Sequence, residues 1–117
     1  MRKIILIAFT LMVVGGNISA SAASLSGNKV LKICKDPDQV PKGICIGYVN
    51  GASEGLTMLL SLTSAKKMGR ICIPNGVTNG QKKDIFIKYL ENNPKDRHMI
   101  PFVLFAAAMR EAYPCPK

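Results

Sequence analysis

Tryptophan is absent from the 117 residues, histidine occurs once, and only seven side chains are aromatic. An aromatic platform for stacking bases or sugars is therefore excluded, and any core must be built mostly from aliphatic side chains. Acidic residues are also few: seven Asp and Glu stand against 16 Lys and Arg, for a formal charge of +9. Hydrophobic residues reach 48%, which excludes a disordered chain of low hydrophobicity and high charge. The length leaves room for one domain only.

The catalytic patterns are missing as well. No Ser sits in a G-x-S-x-G elbow, and no Gly-rich phosphate loop opens a helix after a strand. The carboxylates are scattered along the chain rather than paired. His98, the single His, lies just before a helix in Asp96-Arg97-His98, where a surface or helix-capping role is the simpler reading. The four cysteines show no C-x₂₋₄-C pair, so a zinc site is not indicated. The reading is a protein that is not an enzyme and holds no cofactor or metal.

What is present begins at the amino terminus. Arg2 and Lys3 precede an apolar run, Ile4 to Val14, broken only by Thr10. Gly15-Gly16-Asn17 follows, and then the small residues Ala20-Ser21-Ala22-Ala23. This is the pattern of a cleaved secretory signal peptide over residues 1–23. The run of about 11 residues is too short to span a bilayer, which takes roughly 20. No Cys lies at the cut for lipid attachment. Removal of Arg2 and Lys3 takes the charge from +9 to +7, and 117 less 23 leaves a single domain of 94 residues, 24–117. Export makes the even cysteine count, Cys34, Cys45, Cys72 and Cys115, a disulfide set. It also argues against nucleic acid as the target of the positive charge. A protein or cell-wall partner fits better, and no stable membrane anchor is expected after cleavage.

Strict alternation of apolar and polar residues is absent, and the periodicity is helical. The expected fold is all-α: three main helices with a short leading one, stapled by disulfides. The leading helix is read over residues 25–34 and ends in the turn Lys35-Asp36-Pro37-Asp38. The longest is read over 44–65. It carries Glu54 as its one charge and is expected to be mostly buried. Its Gly47, Gly51 and Gly55 are four apart on one face, a stripe suited to close packing within the chain or to a dimer seam. Thr78 and Gln81 have capping-box spacing, which starts a third helix that ends near Glu91 before Asn92-Asn93-Pro94. Its apolar face is Ile85, Phe86, Tyr89 and Leu90. A fourth helix, about 99–112, tolerates Pro101 only in its first turn, and Phe102, Phe105, Ala106, Met109 and Tyr113 form its inward face. Antiparallel packing of successive helices brings Cys72 near Cys115 and leaves Cys34 with Cys45. Among three possible connectivities this pairing is preferred, and a Cys34–Cys115 link would contradict the arrangement.

Four segments in order resemble the Rap/Tai immunity-protein family. Cys45-Ile46-Gly47-Tyr48-Val49-Asn50-Gly51 is similar to its C-x-G-Y-x-x-G segment. Ile71-Cys72-Ile73-Pro74 with Gly76-Val77-Thr78 and Gln81 is similar to I-C-x-P-x-G-V-T-x-x-Q. Tyr89 to Pro94 with Arg97-His98 resembles Y-L-x-x-H-P-x-x-R-H, with Asn93 in place of the His. Residues 108–115 (AMREAYPC) resemble A-L-x-x-A-F-P-C, with Tyr113 for Phe. The resemblance implies a periplasmic, often dimeric, non-catalytic protein. Such a protein guards against peptidoglycan amidase effectors of type VI secretion by plugging the effector's cleft. Candidate inserting segments are residues 69–79, with Arg70, Asn75 and Asn79, and residues 92–98, with Asn92, Asn93, Lys95, Arg97 and His98. The sequence does not choose between them. The competing reading is a small helical periplasmic chaperone or stress module.

Overall fold

The computed structural model describes residues 24–63 and 71–117. The expected signal peptide, together with Arg70, lies outside these residues. Four helices follow one another: α1 (Gly27–Lys35), α2 (Gln39–Leu62), α3 (Asn79–Asn92) and α4 (Pro101–Ala112), with a 3-10 turn at Pro94–Asp96 between the last two. No strand forms among the described residues, and a single antiparallel bridge joins Ile71 to Pro114. The fold is a small all-α bundle.

Local signals in the chain account for most helix ends. Ser26 caps α1, its hydroxyl accepting from the Lys29 N–H. The capping box of α3 is complete: the Gln81 N–H donates to Thr78 Oγ1 at 3.2 Å, and the Thr78 N–H donates to Gln81 Oε1 at 2.8 Å. Both satisfy N–H groups that a helix start otherwise leaves open. Pro101 opens α4, where its fixed φ suits the helix and its missing N–H costs nothing. The start of α2 differs from expectation by five residues, at Gln39 rather than 44, with Asp38 as N-cap. Pro41 falls in the first turn of that helix, where no backbone donor is needed.

The core is aliphatic with two rings at its centre. Phe86 of α3 and Phe105 of α4 are fully buried and meet edge to face, with ring centroids 5.4 Å apart. Val30, Val49, Ala52, Leu56, Leu90, Leu104, Ala108 and Met109 surround them. The buried face of α4 is rotated from the one expected. Leu104 and Ala108 are enclosed, while Phe102, Ala106 and Tyr113 are only partly so. The cause is α1, whose first residue packs directly on Leu104.

Two disulfides staple the bundle, Cys34–Cys45 and Cys72–Cys115. The first ties the end of α1 to the second turn of α2. The second ties the segment entering α3 to the residues leaving α4, beside the Ile71–Pro114 bridge. The Cys72 N–H also donates to the Tyr113 carbonyl at 2.9 Å. The two ends of the α3–α4 pair are therefore closed by a covalent bond and a short bridge together.

The long helix is not mostly buried, as its composition suggests. Cys45, Val49, Ala52, Ser53 and Leu56 face inward. On the outer side, Val40, Ile44, Met58 and Leu62 are 54–74% exposed. Gly47 and Gly51 have nothing within 4 Å of the place where a Cβ would stand, and Gly55 meets only the ring edge of Phe102 at 3.6 Å. Close packing of the glycine stripe within the chain is thus not what the fold does. The other helices cover the opposite face of α2.

Candidate functional site

The connection between α3 and α4 is short, polar and tightly held. Asn93 is the C-cap of α3, and its side-chain amide donates to the Tyr89 carbonyl at 2.9 Å. Pro94–Asp96 then makes one 3-10 turn. Arg97 folds back on the end of α3, where its guanidinium donates to the Leu90 carbonyl and, at 2.9 Å, to the Glu91 carbonyl. These are carbonyls that a helix end leaves without partners, so Arg97 serves as a capping cation. The Met99 N–H donates to the Asp96 carbonyl at 2.9 Å, closing the turn.

From the other side, α1 clamps the same segment. The Asn28 N–H donates to the Arg97 carbonyl at 2.9 Å, and the Gly27 N–H to the Met99 carbonyl at 3.2 Å. This approach needs a glycine. A Cβ at position 27 would stand 2.5 Å from Leu104 Cδ1 and 2.9 Å from the Arg97 carbonyl oxygen. An ion pair between Lys35 and Glu91 adds a second tie from α1 to the end of α3. The result is a rigid knuckle on which Asn92, Lys95 and His98 are exposed and Asn93 and Arg97 half-buried. The His98 ring nitrogen Nδ1 lies 3.0 Å from the Lys95 carbonyl, which orients the ring. Met99 and Ile100 follow at once, 39% and 67% exposed.

The second candidate segment lies at the opposite end of α3. Asn75 and Gly76 form a turn in which Gly76 has φ +88°, a conformation that favours glycine. Cys72–Cys115 and the bridge hold one side of this turn, and the capping box holds the other. Asn75 is exposed on it. Asn79 opens α3 and lines a groove with Ser53, Thr57 and Lys82. The two candidate segments are thus at opposite ends of one helix and do not form a single site.

All four cysteines are in disulfides. Among the described residues, no three His, Cys, Asp or Glu side chains cluster as metal ligands. Burial raises the Tyr48 phenol above its usual range; burial chiefly, then the carboxylates of Asp96 and Glu111, raises that of Tyr89. What the arrangement can do is present a preformed, mixed polar and apolar protrusion to another molecule. Loops carried on a rigid scaffold are suited to recognition.

The family model of the Rap1a immunity proteins matches residues 26–115, which includes all four helices and both disulfides. The chain belongs to the Rap1a immunity protein family. Comparison with curated proteins and with solved structures returned no match. The matched span begins at the N-cap of α1 and ends at Cys115, so family and folded unit coincide. Membership implies that the chain binds a partner effector protein.

Sequence reasoning placed the knuckle residues in one loop but missed what fixes it. Gly27 reads as an ordinary residue of a weak helix. Its neighbours are some 70 residues away in sequence, and no local pattern signals them. The N-cap spacing of Ser26 to Lys29 was the one available hint that the helix starts there.

Proposed function

We propose that this protein is a periplasmic immunity protein that binds a type VI peptidoglycan amidase effector and occludes its active site without catalysis. The observation that carries the reading is the family match over residues 26–115. The geometry adds a preformed wedge. A knuckle fixed by Arg97, Gly27 and Asn93 enters a cleft without first being ordered, so less binding energy goes into ordering it. Residues 92–98 are therefore the preferred inserting segment over 69–79. Lys95 and His98 are its exposed polar contacts, and Ile100 beside them is an apolar anchor. The net positive charge outside the cytoplasm steers the protein toward an acidic cleft rim. The two disulfides suit an oxidising compartment such as the periplasm.

The test has two stages. The exported protein is used to capture partners from periplasm, and the captured hydrolase is then assayed on peptidoglycan with and without it. The reading predicts stoichiometric loss of amide-bond cleavage, weakened at least tenfold by Lys95→Glu with His98→Ala. Residual cleavage that is unchanged by excess protein would overturn it.

A further inference from the structure

Three Asn-Gly pairs stand in the chain: Asn50-Gly51, Asn75-Gly76 and Asn79-Gly80. In such a pair the glycine's backbone nitrogen is one ring closure away from the side-chain amide carbon of the asparagine. Glycine, having no Cβ, neither shields that nitrogen nor restricts the rotation that brings it onto the carbon. Two conditions decide whether the ring closes. The backbone must be free to turn, and the glycine N–H must not be committed to a carbonyl.

The fold separates the three pairs on both conditions. Asn50-Gly51 lies deep inside α2, where a helical bond commits each N–H to the carbonyl four residues back. Asn79 and Gly80 are the first two residues of α3, held between Thr78 and Gln81 of the capping box. Their N–H groups are open, as at any helix start, so only the fixed backbone protects this pair. Asn75-Gly76 lies outside every helix, in a turn closed by one long bond from the Val77 N–H to the Pro74 carbonyl at 3.5 Å. That distance is at the weak limit for such a bond. Asn75 is exposed, a Cβ at Gly76 would meet nothing within 4 Å, and the Gly76 N–H donates to no described residue.

We infer that Asn75 is a self-modification site, at which the folded protein converts a neutral amide into a carboxylate. The Gly76 nitrogen gives up its proton and attacks Asn75 Cγ. The new C–N bond closes a five-membered succinimide, and the side-chain nitrogen leaves as ammonia with that proton. Water then adds to one of the two ring carbonyls. Cleavage of the bond from the Gly76 nitrogen to Cγ gives an aspartate at position 75. Cleavage of the bond from the Gly76 nitrogen to the main-chain carbonyl carbon gives an isoaspartyl linkage, whose main chain runs through Cγ. Water enters, ammonia leaves, and no oxidant or reductant takes part. Either product adds one negative charge and takes residues 24–117 from +7 to +6. Cys72–Cys115 holds the chain before the turn and the capping box holds it after, so the change is confined to the surface between them. The inference stands independently of the immunity reading.

Peptide mapping by mass spectrometry reads the conversion site by site, on purified, exported protein aged at mildly alkaline pH with its disulfides intact. Asn75 is expected to convert at least about tenfold faster than Asn50 or Asn79, because those two wait on local opening of a helix. Both aspartyl and isoaspartyl peptides are expected, with ammonia released in equal amount. The rate should rise with pH, since the attacking nitrogen must lose its proton. In chain that is reduced and unfolded in urea, the three sites should converge to within about threefold, because the fold that separates them is gone. Asn75→Gln lengthens the side chain and disfavours the ring; it should remove the acidic species while far-UV circular dichroism stays unchanged. Four results would each overturn the proposal: Asn50 or Asn79 converting as fast as Asn75 in the folded protein, Asn75 intact there when the unfolded chain has turned over, three sites still tenfold apart after unfolding, or acidic species that survive Asn75→Gln.

Discussion

Gly27 is the position where a single methyl group does the most damage. Gly27→Ala forces a Cβ into Leu104 and the backbone of Arg97, and the backbone cannot yield as a side-chain tip can. Overpacking of this kind costs roughly 1–3 kcal/mol, so thermal unfolding should show Tm lower by about 5–15 °C for a domain of this size. Gly43→Ala is the control of opposite sign. Nothing stands within 4 Å of it, and replacing an exposed helical glycine should add about 0.5–1 kcal/mol. The alkaline limb is also set by single residues. The Tyr48 phenol, raised by burial, stays neutral in the fold above pH 10, where the unfolded chain ionises. The folded state then binds more protons than the unfolded one, so stability is full below pH 10 and falls as pH rises past it. Tyr48→Phe should flatten that decline in urea titrations between pH 9 and 11. None of these residues announces its role in the sequence. Gly27 and Tyr48 take their character from α3 and α4, far along the chain.

At the scale of the helix, the legible features were those written within four residues of each other. Thr78 and Gln81 state the start of α3, and Pro101 states that of α4, because capping and proline geometry are local. Thr78→Ala should cost about 1 kcal/mol, and denaturant midpoints with an unchanged slope would show it. Phe86→Ala, by contrast, opens a cavity at the centre of the core and should cost about 3–5 kcal/mol. The start of α2 was hidden because Lys35-Asp36-Pro37-Asp38 reads as a turn, while the helix begins directly after it at Gln39 with Pro41 in its first turn. The facing of α2 was hidden for a deeper reason. A helix that is apolar or small nearly all round does not say which side its neighbours cover, and the covered side is set chiefly by α1 and α3. The knuckle after α3 was legible as a loop, but not as a rigid one, since its rigidity comes from Arg97 turning back and from α1 arriving across the bundle.

Over the whole molecule, the two staples contribute unequally. Cys72–Cys115 closes 43 residues and Cys34–Cys45 closes 11. On chain entropy alone the longer loop stabilises by about 1 kcal/mol more. Replacing Cys72 and Cys115 by Ala should therefore lower Tm further than replacing Cys34 and Cys45. The pairing followed from the antiparallel order of the helices, which is a property of short connections rather than of the cysteines themselves. The partner is a different matter. Four family segments point to an immunity protein, while the shape that would fill a cleft rests on contacts between α1, the end of α3 and α4. Those contacts converge on the knuckle, and the central claim is that it closes an effector's active site. Titration of the purified protein against its captured amidase, with release of cleaved peptide from peptidoglycan as the signal, tests this most directly. The account predicts loss of activity at one equivalent and nanomolar concentration, relieved by Lys95→Glu with His98→Ala. Full activity in the presence of a tenfold excess of the folded protein would contradict it.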